Sequence, residues 1–315
     1  MTLVRRLALA SLVANVVIVI TGGAVRLTGS GLGCPSWPKC TDASYVATRA
    51  MGLHGAIEFG NRMLGGVVGL VAVAVLVAAW GTTHRRLAAL VLAGVATQGV
   101  LGGITVRTGL NPWTVAAHFL LSMAVIAAAH ALWVRTRRVD HGQARDNSDT
   151  TMARLPMINA QRAIRQLAGV LTGTAAVVLT LGTVVTGSGP HAGDPGTPRM
   201  GFDLTTVAQL HADAVFLFVG LSVAFWFALR AVGAPTRAVA VLVGVELAQG
   251  AIGFVQYFAH LPVLAVGLHL VGACAVWLAT LALWPSLDVT YDTTRGIMAT
   301  CPPSAVPEPR SFAST

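Results

Sequence analysis

Apolar residues fall in eight long blocks joined by short polar segments. The blocks cover about 7–27, 51–80, 87–107, 113–134, 164–187, 204–230, 237–257 and 263–284. A helix needs roughly 20 apolar residues to cross a bilayer, and each block reaches that length. The pattern predicts an all-α membrane protein with eight transmembrane helices. Composition agrees: 55% of the 315 residues are hydrophobic and 10% are charged. The mean hydropathy of +0.71 lies above what a soluble domain carries.

The net charge of +9 raises the question of nucleic acid. Placement answers it. With the N-terminus in the cytoplasm, inner segments hold Arg5, Arg6, Arg85, Arg86, the cluster from Arg135 to Arg165, Arg230, Arg237, Arg295 and Arg310. Outer segments hold Arg26, Lys39, Arg49, Arg107 and Arg199. Such asymmetry is the positive-inside rule. It predicts a multi-pass protein of the cell membrane with both termini cytoplasmic, and no nucleic-acid partner. Arg5 and Arg6 precede the first block, but no small-residue cleavage site ends it, so it reads as a span.

The blocks divide into two halves of four. Residues 1–134 form one predicted four-helix bundle and residues 164–284 another. The polar segment 135–163 reads as a cytoplasmic linker, and 285–315, rich in proline, as a disordered cytoplasmic tail. The halves share motifs. Gln98-Gly99-Val100-Leu101-Gly102 recurs as Gln249-Gly250-Ala251-Ile252-Gly253, and His118 follows the first as His269 follows the second. Thr28-Gly29-Ser30-Gly31 recurs as Thr186-Gly187-Ser188-Gly189. Four spans per half start both on the same side, which predicts two parallel-repeat four-helix bundles.

Polar chemistry interrupts the apolar pattern in few places. His54, Glu58 and Arg62 stand at steps of four on one helix face, with Asn61 beside them. Each ionisable group costs about 2.5–3.5 kcal/mol at the centre of a membrane helix. Two readings stand: a buried Glu58–Arg62 ion pair, or a polar site facing a cofactor or substrate. Glu246 and Asp213 are the other acidic groups inside spans, and both read as interhelical hydrogen-bond partners.

Of nine histidines, His84, His130, His141, His191 and His260 read as solvated or interfacial. His54, His118, His211 and His269 fall on the even-numbered spans, two per half. His118 and His269 lie about 7–11 Å below the outer helix ends. Paired imidazoles across a four-helix bundle can clamp a haem iron from both faces. No carboxylate or thiolate joins the second pair, which makes zinc or copper the weaker choice. Haem propionates need cations, and Arg26 and Arg107 lie at the outer ends of spans one and three. They are candidate propionate partners, with snorkelling to the interface as the alternative.

Cys34 and Cys40 share the first outer loop, where thiols oxidise, and predict a disulfide. Its role is either structural or electron exchange. Cys274 reads as a small buried apolar residue and Cys301 as a reduced thiol in the tail.

The stretch Gly22-Gly23-Ala24-Val25-Arg26-Leu27-Thr28-Gly29-Ser30-Gly31-Leu32-Gly33-Cys34-Pro35-Ser36-Trp37-Pro38-Lys39-Cys40 closely resembles the first span and loop of haem A synthases. Ile57-Glu58-Phe59-Gly60-Asn61-Arg62 resembles the glutamate-bearing second-span motif of that family. The resemblance covers about residues 5–285 and is nearest to the actinobacterial branch. It implies an oxidoreductase that converts the C8 methyl of haem O to a formyl group by successive hydroxylations. It also implies a permanent haem b on His211 and His269, and substrate haem on His118. Glu58 is then the catalytic candidate, with Arg62 as its pairing partner. The family has histidine immediately before the arginine; here Asn61 stands there. The substrate haem, with Asn61 and Arg62 beside it, is then held by His118 alone or with His54 as a substitute; the alternative role of His54 is a hydrogen bond to Glu58. The implied surroundings are the lipid bilayer; the candidate partners are the haem O synthase, terminal oxidase assembly factors and further copies of the chain in a homo-oligomer. The alternative function is a di-haem b-type cytochrome that only transfers electrons. A transporter of parallel repeats is a weaker rival, since neither Glu246 nor Asp213 is flanked by obvious helix breaks.

Overall fold

The computed structural model describes residues 2–138 and 154–287. Eight helices carry the chain: α1 (Leu3–Leu27), α2 (Gly52–Ala79), α3 (Arg85–Arg107), α4 (Pro112–Arg138), α5 (Arg154–Ser188), α6 (Leu204–Ala231), α7 (Arg237–Phe258) and α8 (Val263–Leu281). Each is long and apolar enough to cross a membrane, with the eighth span continuing to Leu287. The protein is therefore an all-helical, multi-pass membrane protein. Apolar residues point outward as well as inward: Leu70 and Val77 on α2 are 72% and 70% exposed. In water such faces would be a liability; against lipid they are the ordinary surface.

Helix ends follow local chemistry. Pro112 opens α4, where its missing N–H leaves no unpaired donor, and Asn111 Oδ1 accepts from the Trp113 N–H at 3.0 Å. Asp203 caps α6 by accepting from the Thr206 N–H at 2.7 Å. The ends of α3 and α7 use one device. Leu110 N–H donates to Thr105 at 2.9 Å, and Leu261 N–H donates to Gln256 at 2.8 Å. The left-handed residue before each is Gly109 in the first case and His260 in the second.

Two boundaries differ from the sequence reading. The segment 135–163 was expected to be a linker, yet α4 runs to Arg138 and α5 begins at Arg154. Helical hydrogen bonding continues past the apolar blocks, because the flanking arginines are good helix formers and prefer the membrane surface. Residues 139–153 of that segment, and 288–315 of the expected tail with Cys301, lie outside the described residues.

In the first half α1 packs along both α2 and α4, and α3 along α2 and α4, closing a ring of four helices. In the second half α5 packs on α6 and α7 on α8, while α5 meets α8 only briefly. The halves join where α8 rests on α1 and α4, and Trp277 Nε1 donates to the Met123 carbonyl at 2.9 Å. On the outer side, Gly31 N–H donates to the Gly193 carbonyl at 3.0 Å.

Three polar expectations resolve here. Glu246 is buried and accepts from Ser222 Oγ across α6 and α7 at 2.7 Å, an interhelical bond as expected. Asp213 does not bond between helices: it accepts from Gln209 at 2.8 Å, one turn away on α6. His130, expected at the interface or in water, is buried with its ring tilted toward Trp133. An imidazole is apolar enough over most of its surface for that packing.

Candidate functional site

The second helix and the first outer loop build one polar cluster. Glu58 is buried, which in a membrane span demands a partner for its charge. Its Oε1 accepts from Arg62 Nη2 at 2.5 Å and from Nε at 3.1 Å. Its Oε2 accepts from the Cys34 N–H at 2.6 Å. Arg62 also donates to three loop carbonyls: Cys34 at 2.8 Å, Ser36 at 2.9 Å and Lys39 at 3.2 Å. Those contacts employ every N–H of the guanidinium. Of the two sequence readings the structure shows the ion pair, and that pair ties α2 to the loop. A carboxylate offers about four acceptor positions, so three bonds leave Glu58 one more to use.

The loop is shaped to reach that pair. Cys34 and Cys40 are disulfide-bonded and both fully buried. Gly33 lies on the His54 carbonyl so closely that any Cβ would overlap it. Trp37 lies flat against Gly103 of α3 in the same way. Arg107 donates to the Trp37 carbonyl at 3.0 Å and stacks over its ring at 5.9 Å. Arg26 donates to the Thr186 carbonyl at 2.7 Å, linking the halves, and its buried Nε has no partner. Of the two candidate propionate cations, Arg26 thus keeps an unmet donor, while Arg107 holds the loop.

His54 is exposed at the start of α2, with Nδ1 on Ser30 Oγ at 2.9 Å. Asn61 Oδ1 accepts from Thr21 Oγ1 of α1 at 2.8 Å. Beside it lies a cavity of about 270 Å³, lined by Thr21, Ala24, Val25, Ile57, Gly60, Asn61 and Leu64. His118 projects from α4 against Gly102 of α3, and its Nδ1 is buried without a hydrogen bond. Gln98 donates to the His118 carbonyl at 3.0 Å and to Ser122 Oγ at 2.7 Å.

The second half brings two of the expected histidines together. His211 of α6 and His269 of α8 have ring centres 6.5 Å apart, inclined at 67°. An imidazole–metal bond is about 2 Å and the ring centre lies about 1 Å behind its nitrogen, so a metal between two imidazoles separates the centres by about 6 Å. The observed spacing fits an iron held from both sides. Among the described residues no three His, Cys, Asp or Glu side chains form a metal site. A macrocycle that brings its own equatorial nitrogens is the ligand that needs only two. Each ring is seated on a glycine: His211 against Gly182 of α5 and His269 against Gly253 of α7. The Nδ1 of His269 is buried without a partner, and Gln249 donates to its carbonyl at 2.7 Å.

Sequence reasoning missed the partners: Thr21, Ser30, Trp37 and the anchoring role of Gln98 and Gln249. The glutamines carried a signal, since each precedes its histidine by the same interval in both halves. Ser30 carried the repeated Thr-Gly-Ser-Gly motif, and Thr21 carried no signal.

Comparison with known proteins is consistent with this geometry. The COX15-CtaA family, described as cytochrome oxidase assembly protein, matches residues 5–54 and 51–281. A heme A synthase of Hyphomonas neptunium is 26% identical over 237 residues, 62% of each chain. One from Methylobacterium radiotolerans is 33% identical over 156 residues, 38% of this chain and 42% of its own. One from Shewanella oneidensis is 28% identical over 144 residues, 40% of this chain and 44% of its own. The chain spans about half the length of the curated relatives it matches.

Proposed function

The chain belongs to the COX15-CtaA family of cytochrome oxidase assembly proteins, and on that premise we propose that it is a haem A synthase. In this reading it is a membrane oxidoreductase that converts the C8 methyl of haem O to a formyl group. The observation that carries it is the pair of unlike sites: two imidazoles brought together in the second half, and a buried carboxylate–guanidinium pair bound to the disulfide loop in the first. A cytochrome that only moves electrons has use for the former and none for the latter.

His211 and His269 would hold a resident haem b, which when bound supplies a one-electron carrier. Their glycine seats fix the ring positions, and Gln249 fixes the α8 backbone at His269. His118 would take the substrate haem O in the first half, with Arg26 meeting a propionate through its unused donor. Glu58 is the proposed proton acceptor. Arg62 donates two hydrogen bonds to it, and the one open acceptor position lets it take a proton from water or from a hydroxylated carbon. The disulfide loop positions Glu58 and keeps bulk water from that side. We take the two halves as a parallel repeat, with termini in the cytoplasm of a bacterial cell and the sites in the outer half of the cell membrane. The supply of haem O assigns the haem O synthase as upstream partner, and the product assigns terminal oxidase assembly as its consumer.

Pigment extraction tests this reading. The purified chain, produced in cells that make haem O, should yield haem b together with haem O or haem A. Haem b alone at two per chain would contradict it in favour of an electron carrier, and a colourless protein would contradict both.

A further inference from the structure

The two halves repeat the contacts around one histidine each. Residues of α3 and α4 recur in α7 and α8 at a constant shift (98 to 249, 102 to 253, 118 to 269). The contacts recur with them: Gln98 and Gln249 each donate to a histidine carbonyl, and Gly102 and Gly253 each underlie a histidine ring. Facing His269 stands His211, seated on Gly182 with a Cβ position only 3.3 Å from its ring. Counting back by the shift between the two Thr-Gly-Ser-Gly turns (28 to 186), Gly182 corresponds to Ala24. Ala24 lines the cavity of about 270 Å³ together with Asn61. The first half thus carries alanine for the seat glycine and a short amide for the ring, with a void left over.

That void has a definite chemistry. Thr21 and Asn61 are its only polar lining residues, and no charged group reaches it. Thr21 Oγ1 lies 2.8 Å from Asn61 Oδ1, its shortest contact, and also reaches the Val17 and Ile18 carbonyls at 3.1 and 3.2 Å. Asn61 Nδ2 keeps its donors, since no hydrogen bond among the described residues engages it. The volume holds several molecules the size of water, each about 30 Å³ in the liquid. His54 offers no replacement ligand there, because its ring is exposed and tied to Ser30.

We infer that the first half binds its haem through His118 as the single protein ligand, and that Asn61, Thr21 and the adjoining cavity form an open face admitting one small neutral molecule. The inference rests on the proposed function only in that a haem occupies this half. The second half, with both faces taken by imidazole, is closed to such a molecule.

Carbon monoxide is the probe. The purified full-length chain, loaded with protohaem to two per chain and reduced, should show one high-spin haem that binds carbon monoxide and one low-spin haem that does not. The double variant Ala24→Gly, Asn61→His restores the glycine seat and the ring together. It should turn the first haem low-spin and reduce carbon monoxide uptake from one per chain to none. Thr21→Val, which leaves the backbone and cavity walls in place, should keep uptake but shift the carbon monoxide stretching frequency by freeing the amide. Two low-spin, unreactive haems in the unaltered chain would overturn the inference, as would unchanged uptake in a folded double variant. These outcomes separate from the proposed function. A chain that makes formyl haem while both haems are unreactive keeps the function and loses the inference. A reactive haem in a chain that never yields formyl haem does the reverse.

Discussion

The two halves of this protein differ most where their scaffolds agree best. α3–α4 and α7–α8 place a histidine, its glycine seat and its anchoring glutamine at matching positions. Opposite that shared histidine, the second half sets a second imidazole 6.5 Å away. The first half carries, on α2 and its first outer loop, an amide held by Thr21, a buried carboxylate and a guanidinium bound to a disulfide loop. A site closed on both faces suits holding a group unchanged. A site with one open face and a positioned carboxylate suits changing one. In the proposed reading, a handful of side chains on matching helices distinguishes a holding site from a reacting one.

The comparison can be broken in several ways. The largest effect is expected from His269→Ala. Removing one of two facing ligands should abolish the low-spin haem of the second half and leave the first-half haem bound, read as loss of one haem per chain in the absorption spectrum. Loss of both, or of neither, would mean the halves are not independent sites. Next comes Arg62→Leu, which has no counterpart in the second half. It strands the buried Glu58 carboxylate and releases three loop carbonyls. Breaking a buried pair from one side costs about 3–5 kcal/mol, so thermal unfolding in detergent should fall sharply. A shift worth under about 1 kcal/mol would show the loop is anchored elsewhere. The smallest effect sharpens the frame itself. At matching turns the first half uses Gly109 and the second His260, both at positive φ. His260→Gly should stabilise the second half by about 1 kcal/mol, the cost of a left-handed conformation in a residue with a side chain. A destabilisation would mean that the imidazole contributes a contact of its own.

Much of the architecture was legible in the chain. Eight apolar blocks gave eight spanning helices, because bilayer thickness sets a length that composition displays directly. Helix ends were read less well: the arginines flanking α4 and α5 extend helices beyond the apolar pattern, and periodicity carries no signal there. The Glu58–Arg62 contact followed from spacing within one helix. The facing of His211 and His269 followed from paired residues on bundle helices. What could not be read was the reach between elements. Nothing in the sequence announces that Thr21 holds Asn61, that Trp37 lies on Gly103, or that Arg62 takes its bonds from loop carbonyls. Those depend on how a loop folds back over helices distant in sequence, and backbone carbonyls carry no residue signature. Asp213 and His130 misled for a related reason, since a polar residue inside a span declares a need for a partner without saying where it is.

The central claim is that the carboxylate of the first half acts on substrate rather than only bracing the loop. Glu58→Gln tests it most directly, because the amide keeps the shape and the hydrogen bond from Cys34 while removing the base. With haem O supplied, the purified variant should remain folded and retain the low-spin spectrum of the second half. Its extracted pigment should contain haem O and no haem A. Haem A at the unaltered level would contradict the account and leave Glu58 as an anchor for the loop.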